Sequence, residues 1–442
     1  MTIPKRKMAA LALAIAAVAL PLRAQESSTG PRKIGVDEAV ALAEKSDEGL
    51  AQAAIALQAK SRALGLVWNN FLPSVAVSAG VADNGTSTNA GSNQLAATGG
   101  VSASLNLSAA TGDARRLSKL EYERQILAYE KAKASLELSI RKEAYTILLD
   151  EERLKQARQN IERESESYAQ TEAKYKAGLA SEIDLLSANV SLESLKPTAD
   201  GYATTLANDL DSLESVLGLP ADEEITIWGG LEAEDRAIAR LLEEATASKD
   251  EDNRGVAAAA KSLELARLTK SSLSASKLLP SLALSASLTP NLPMASFPAS
   301  SQASSSVTAS AILSLSLDNF LPGSAAQESI AEAQDSIANA ESALREAIRD
   351  ARVARKSDAR SVEDDRSSLA ALKLNVQLAE KSYAASREAY NRGYLTLTSL
   401  QSAAGDLDSA KLTALSKSYD LISAALDLAF ATGLPLNLIG KE

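Results

Sequence analysis

The stretch Tyr175-Lys-Ala-Gly178-Leu-Ala-Ser-Glu-Ile-Asp184-Leu-Leu186 joins two long helical patterns, and it returns in altered form as Tyr390-Asn-Arg-Gly393-Tyr-Leu-Thr-Leu-Thr-Ser399-Leu400. The offset from Tyr175 to Tyr390 is 215 positions, as is the offset from Gly178 to Gly393. The same offset relates Leu217-Gly218-Leu219-Pro220 to Thr432-Gly433-Leu434-Pro435. A constant offset across about forty residues indicates a duplicated unit.

The N-terminus has the pattern of a secretory signal peptide over residues 1–24. Lys5, Arg6 and Lys7 precede a short apolar run at 8–20, and Ala24 is a small residue at a plausible cleavage position. A membrane anchor is the alternative, but this run is too short to cross a bilayer as a helix. We therefore predict an exported chain whose next residues, 25–32, form a mobile polar leader.

Composition restricts the possible functions. The formal net charge is -11, and removal of residues 1–24, which carry four basic and no acidic residues, would make it -15, so nucleic acid is not expected as a partner. The chain has no His and no Cys, which removes the commonest general base, the commonest metal ligand and any thiol nucleophile. Catalysis by carboxylates alone remains open, yet the Asp and Glu residues are dispersed along helical patterns as solvated faces. We predict a protein that is not an enzyme and that needs no cofactor or metal.

Each copy contains one β-hairpin, because the hydrophobic period changes there from helical to two. Val75, Val77, Ala79 and Val81 alternate with small, mostly polar residues, and the pattern returns at 101–108 and twice more in the second copy. A small soluble sandwich would also alternate. Runs of about ten residues with one apolar and one small polar face, in an exported chain, favour membrane-barrel strands. Four strands cannot close a barrel, so other copies of the chain must complete it.

Long helical patterns precede and follow the hairpins. We expect a first helix over Val36 to Val67, and a second from a cap at Gly112-Asp113 to Tyr175, which would be roughly 95 Å long. Apolar residues fall every seventh position along this helix and along its copy, which predicts a left-handed coiled coil rather than an isolated spacer helix. Pro197 predicts a kink in the first return helix.

The predicted fold class is therefore an α+β membrane protein with duplicated long helical coiled-coil hairpins and four strands per chain. The first repeat spans 25–220, with hairpin 71–108, long helix 113–177 and return helix 180–217. A linker with a short strand-like excursion spans 221–231. The second repeat spans 232–435, with a fresh helix from about Glu232, hairpin 279–317, long helix 324–391 and return helix 396–431, and 436–442 form a tail.

This pattern resembles the TolC-like outer-membrane efflux protein family over nearly the whole mature chain. The resemblance rests on apolar-Leu-Pro before each hairpin, Tyr-x-x-Gly in both turns, and Leu-Gly-Leu-Pro or its variant after each return helix. It implies a homotrimer in outer-membrane lipid, with one twelve-stranded barrel and a helical tunnel in the periplasm. It also implies a periplasmic adaptor and an inner-membrane pump as partners, with the two turns at the periplasmic tip, where the channel closes and the adaptor docks.

The resemblance also assigns roles at the tip. Asp184 matches a carboxylate that bonds a tyrosine of the other copy, here Tyr390, and this bond would help to hold the tip closed. Leu395 stands where the best-known member has a second, basic latch. Ser399 and Ser402 stand where that member has a ring of acidic residues. The latch is therefore expected to be weaker and the entrance less cation-selective. The alternative for Asp184 is an N-capping carboxylate at a helix start, without a gating role.

The sequence thus predicts a passive exit duct that opens when the adaptor and pump engage its tips. Its candidate site residues are Tyr175, Gly178, Asp184, Tyr390, Gly393, Leu395, Ser399 and Ser402. Two other classes remain open: an exported structural coiled-coil or adhesin-like protein without a pore, and a periplasmic adaptor. The adaptor is less consistent with the sequence, because the hairpin is present twice and no compact β-rich flanking domain is evident.

Overall fold

A computed structural model describes residues 32–83, 95–220, 223–231, 234–295 and 304–438. The predicted signal peptide and almost all of the predicted leader therefore lie outside the described residues. The described chain is mostly helical, and its elements follow one another as strand, helices, hairpin and long helix pair, twice over. None of the described helices is both long and apolar enough to cross a membrane.

The helices and strands have the following bounds. The strands are β1 (Arg32–Gly35), β2 (Ser74–Asp83), β3 (Leu95–Leu107), β4 (Ile225–Trp228), β5 (Ser281–Ala295) and β6 (Ser304–Ser314). The helices are α1 (Val36–Ser46), α2 (Glu48–Leu66), α3 (Ala109–Lys176), α4 (Glu182–Leu217), α5 (Asp235–Ala247), α6 (Arg254–Leu278), α7 (Ala325–Asn391) and α8 (Leu397–Thr432).

The two longest helices, α3 and α7, contain 68 and 67 residues, so each is about 100 Å long. Each packs against the return helix that follows it, α4 and α8 respectively. Along the predicted seam, in which apolar residues recur every seventh position, several side chains are buried, among them Ile147 on α3 and Val362 on α7, which are both fully inaccessible to solvent. Burial of this seam agrees with the predicted coiled-coil packing.

A four-stranded antiparallel sheet with the order β2-β3-β5-β6 joins the two predicted hairpins. Both hairpin tips, at 84–94 and 296–303, lie outside the described residues. The final strand ends at Ser314, and Leu317–Phe320 form a short 3₁₀ turn instead of the predicted continuation to 317. Within the described chain, β2 and β6 each pair on one side only, so both edges of the sheet are open.

Rows of paired residues cross the sheet and alternate between two chemical types. Ser74, Ser104, Ser285 and Ser310 pair in register to form one row across the four strands. On the opposite face, Val77, Val101, Leu288 and Val307 form another row, and their exposed fractions are 79%, 44%, 44% and 79%. The sheet therefore has one hydroxyl-bearing face and one exposed apolar face.

A second, parallel pair of strands, β1 with β4, lies beside the helices. The predicted excursion after 221 is thus a strand, whereas the expectation that the polar leader includes Arg32 is wrong. Arg32 begins β1, because its amide donates to the Glu224 carbonyl at 2.8 Å and its guanidinium binds Glu223 and Glu38. Ile34, Ile225 and Ile227 then enter the large core formed by α1, α3, α5 and α8.

Three expected helix features differ from the structure. The helix predicted over 36–67 is broken at Asp47, whose side chain accepts from the Leu50 amide and so caps α2. Helix α3 begins at Ala109 rather than at 113, because Ser108 and Thr111 form a capping box there. The fresh helix expected from about 232 begins at Asp235 as α5, and α6 follows as a separate helix. Helix α4 spans Glu182–Leu217 with Pro197 inside it, and the kink expected there stays a prediction.

Gly433 ends α8 against the start of α6. Its φ is +75°, and a Cβ built there would lie 2.4 Å from the Asp252 carbonyl oxygen. Nearby, the Asn253 side-chain amide donates to the Ala431 carbonyl at 2.8 Å. A positive φ is costly for residues with a Cβ. At Gly433 the added Cβ would also clash with the backbone of Asp252.

We expect Gly433→Ala to lower the free energy of unfolding by more than about 2 kcal/mol, because left-handed strain and a backbone clash act together. Gly323→Ala is the matched control, since Gly323 has a φ of +78° and no atom within 4 Å of the added Cβ. In that control, the free energy of unfolding should fall by only about 1 kcal/mol. Thermal unfolding followed by circular dichroism measures both, and equal losses would contradict this account of Gly433.

Candidate functional site

Two tight turns at one end of the helical hairpins form the candidate site, and they have the same backbone geometry. In the first, the Gly178 amide donates to the Tyr175 carbonyl at 2.9 Å and the Leu179 amide to the Lys174 carbonyl at 2.8 Å. The second turn repeats these bonds around Gly393, and the φ angles of the two glycines are +73° and +78°. Each turn is a Schellman motif, which explains why glycine stands at both positions.

The return helices start with side-chain caps. Ser181 caps α4: its hydroxyl accepts from the Asp184 amide at 3.1 Å, while Asp184 accepts from the Ser181 amide at 3.0 Å and from its hydroxyl at 2.7 Å. These bonds hold the pKa of the Asp184 carboxyl below its ordinary value. At α8, Thr396 accepts from the Ser399 amide at 3.3 Å. Ser399 therefore serves a cap, while Ser402 is exposed.

Tyr390 is the centre of the contacts between the two sequence repeats of the chain, and it is only 7% exposed. Its hydroxyl lies 3.2 Å from the Thr171 hydroxyl of α3. The Lys174 ammonium lies 3.6 Å from the centroid of the Tyr390 ring and donates to the Tyr390 carbonyl at 3.4 Å. Asp184 and Tyr390 thus bond to Ser181 and Thr171 rather than to each other. The sequence did not single out Thr171 and Lys174, although Lys174 is adjacent to the predicted Tyr175.

An apolar cluster surrounds this tyrosine, and we call it the tip cluster. Its buried members are Ala188, Tyr390, Leu397 and Leu400, and Tyr168, Tyr383 and Leu395 pack against it. Leu395, which replaces the basic latch of the family pattern, therefore contributes apolar packing. Tyr175, the copy of Tyr390, is 41% exposed, so the two turns are equivalent in backbone but not in environment. Leu179 and Tyr394, which follow the two glycines, are 80% and 82% exposed.

Above the tip cluster, Arg163 of α3 connects the two helix pairs. It binds Asp408 of α8 at 2.5 Å and Asn160 at 2.7 Å, and its guanidinium carbon lies 5.3 Å from the centroid of the Tyr383 ring. The neighbouring Glu164 has a buried Oε2 without a hydrogen-bond partner among the described residues. Burial raises the pKa of the Glu164 carboxyl. This layer therefore combines a favourable ion pair with an unfavourable buried carboxylate.

The side chains of the site are suited to packing and to holding two helix pairs together. Among the described residues, no group of three or more Asp, Glu, His or Cys side chains is placed to hold a metal ion. The arrangement can hold two helix pairs together through one tyrosine, one lysine and an apolar cluster, and it can present two exposed apolar side chains at its end.

Comparison with known proteins extends these observations. The sequence matches the family model described as "Outer membrane efflux protein" over residues 39–219 and 249–434, which is more than half of the chain. No curated protein has a sequence that matches it.

Several solved structures have a similar fold. The Campylobacter jejuni CmeC outer membrane channel matches with a TM-score of 0.74 at 16% identity, over 90% of this chain and 85% of that one. The Vibrio cholerae outer membrane protein VceC matches with a TM-score of 0.73 at 14% identity, over 91% and 96%. The open state of the Neisseria gonorrhoeae MtrE outer membrane channel gives 0.72 at 17% identity, over 91% and 89%. These likenesses establish the fold.

The buried Glu164 carboxylate yields a stability prediction. Because its pKa is raised in the folded chain, its charged form weakens the fold at neutral pH, and this penalty disappears as the pH falls below the ordinary glutamate range. Glu164→Gln should therefore raise the free energy of unfolding at pH 7 by about 1 kcal/mol, with no gain at low pH. Thermal unfolding at several pH values tests this. Glu162→Gln, at an exposed neighbour, is the control and should change little.

Proposed function

Because the chain belongs to the outer membrane efflux protein family, we propose that it is the passive outer-membrane exit duct of a tripartite efflux or type I secretion system. The observation that carries this proposal is the four-stranded sheet, with an exposed apolar row on one face and a serine row on the other. Such alternation suits lipid outside and water inside. Helix α3 follows β3 directly and α7 follows β6 after a short 3₁₀ turn, and each helix is about 100 Å long, a length suited to a periplasmic tunnel.

The open sheet edges support a homotrimer. Unpaired backbone groups of β2 and β6 would each cost several kcal/mol in lipid, and a strand from another copy satisfies them. We propose that three copies contribute four strands each to one twelve-stranded barrel. The apolar row of each chain then joins those of its neighbours into a belt in contact with outer-membrane lipid.

The tips are the proposed point of contact with the adaptor and the inner-membrane pump. Exposed Leu179 and Tyr394 give each tip an apolar surface that a partner can cover. The gate itself, in our proposal, consists of the turns around Gly178 and Gly393, the tip cluster with Leu395, and the contacts of Tyr390. Ser399 and Ser402 leave the proposed entrance without a ring of acidic side chains at these positions.

Removal of the Lys174 ammonium tests the gate. Lys174→Met keeps the aliphatic stem but loses the cation over the Tyr390 ring, a contact worth about 1 kcal/mol. We expect a higher conductance of the purified trimer in planar bilayers. Lys176→Met is the control, because Lys176 pairs with Glu172 on the same helix and does not contact Tyr390. A chain that stays monomeric in mild detergent and gives no conductance would refute the channel and favour a structural coiled-coil or adhesin-like protein.

Asp184→Ala separates capping from gating. Since Asp184 bonds only to Ser181 in the described chain, its removal should destabilise the start of α4 by about 1 kcal/mol at pH 7 and leave conductance unchanged. Because the pKa of Asp184 is lowered in the folded chain, its stabilisation is present at neutral pH. The stabilisation is lost as the pH falls through this lowered pKa. A rise in conductance like that of Lys174→Met would instead place Asp184 in the latch expected from the family pattern.

A further inference from the structure

A cavity lies between α2 and α3 at the end of the helices that adjoins the sheet. Its volume is about 1030 Å³. Ligand pockets commonly measure about 300–1,000 Å³, so this cavity has room for a small-molecule group. One wall consists of the end of α2 and the 3₁₀ turn Val67–Phe71, and the other consists of the start of α3. Strand β2 begins at Ser74 and β3 ends at Leu107, so each wall is joined to a strand of the sheet.

The wall joined to β2 carries an aromatic pair. Trp68 and Phe71 meet edge to face with ring centroids 5.6 Å apart, and they are 68% and 37% exposed. Val75 and Val77, which follow on β2, belong to the exposed apolar face that the proposed function places in lipid. The aromatic pair therefore lies where this face gives way to the helices. Exposed aromatic side chains at such a boundary are typical of the interface between membrane and water.

The opposite wall carries two cations. Arg115 and Lys119 line the cavity from neighbouring turns of α3. Arg115 is exposed and forms no ion pair with any residue in the described ranges. Lys119 lies 3.6 Å from Glu123, which is bound more closely by Lys261 at 2.8 Å. The hydrogen bond from Lys261 lowers the pKa of the Glu123 carboxyl, so the acidic group in the lining already has a partner. The cavity is therefore suited to an anion.

Two glycines leave the cavity its space. Gly65 of α2 and Gly112 of α3 both line it. A Cβ built at either position would meet no described atom within 4 Å, so no close contact requires glycine there. Glycine weakens a helix relative to alanine. The open volume between the two helices is what these residues preserve.

The second repeat lacks the cations, the glycine of α3 and the tryptophan. The offset is 215 along the long helices, and it is 279 − 72 = 207 for the Leu-Pro pairs that precede the hairpins. The residues at the duplicated positions are Ile330, Gln334, Gln327 and Ala275 in place of Arg115, Lys119, Gly112 and Trp68. Helices α6 and α7 nevertheless pack together below the sheet. The fold of a repeat therefore does not require this lining.

From these observations we propose that the cavity binds the headgroup of an anionic phospholipid of the periplasmic leaflet. Arg115 and Lys119 bind its phosphate, because basic side chains beside a membrane attract anionic headgroups. Trp68 and Phe71 cover the glycerol and the upper acyl chains, which continue along the apolar face of the sheet. The inference rests on the proposed function, which places the sheet in lipid. It goes beyond that function by giving each chain a specific lipid site.

Fluorescence of Trp68 tests the site, because the chain has only two tryptophans, Trp68 and Trp228. The Trp228→Phe trimer is placed in phosphatidylcholine vesicles that contain a minor fraction of phosphatidylglycerol with brominated acyl chains. Bromine quenches only tryptophans close to those chains. We expect stronger quenching than the same fraction of brominated phosphatidylcholine gives, with a relative affinity about fivefold higher for each cation in the site.

Matched variants distinguish the cavity from general attraction of anionic lipid. Arg115→Gln/Lys119→Gln should reduce quenching to the phosphatidylcholine level. Gly112→Phe keeps both cations but fills the cavity, and it should have the same effect. Arg158→Gln is the charge control, since Arg158 is exposed on the same helix about 74 Å from its start, and the lipid preference should not change.

The outcomes separate this inference from the proposed function. Equal quenching by the two brominated lipids in a conducting trimer would overturn the headgroup site and leave the channel intact. Absence of quenching by either lipid in a conducting trimer would also overturn it, because a second copy of the chain would then cover the cavity. A lipid preference that survives Gly112→Phe would contradict binding inside the cavity. Failure to assemble or to conduct in planar bilayers would instead refute the proposed channel.

Discussion

The unpaired edges of the four-stranded sheet are the constraint on which the rest of this structure depends. Within the described chain, β2 and β6 each pair with a neighbouring strand on one side only, and the row through Val77 exposes apolar side chains on one face. In water, such a sheet would invite aggregation; in lipid, its edges must be paired by strands of further copies. In the proposed channel, association of the chains therefore completes the sheet.

Duplication supplies two similar helix pairs, but divergence makes their contacts unequal. The backbone of the two turns is the same, including the bonds around Gly178 and Gly393. The side chains differ: one tyrosine is covered by Lys174 and Thr171, while the other stays exposed. Equal backbone geometry with unequal side-chain contacts leaves Tyr390 buried within the chain and Tyr175 partly exposed.

Local patterns predicted the parts of the fold that depend on local periodicity. Alternation identified both hairpins, and the seven-residue seam identified the buried line through Ile147 and Val362. The pairing of β1 with β4 was not predictable in this way, because it joins segments about 190 residues apart in a parallel arrangement. The break at Asp47 and the start at Ala109 depend on capping bonds, which shift helix ends by a few residues.

At the tip, too, contacts between sequence neighbours were predictable and contacts between distant residues were not. Both glycines and the capping alternative for Asp184 could be derived from their neighbours in sequence, and the structure places Asp184 in a cap. The role of Lys174 could not be derived from its sequence neighbours, because its partner Tyr390 lies 216 residues away. A lysine on a charged helix face is ordinarily solvated. In the described chain, Tyr390 contacts an ammonium, a hydroxyl and apolar side chains, and Leu395 packs against the same cluster.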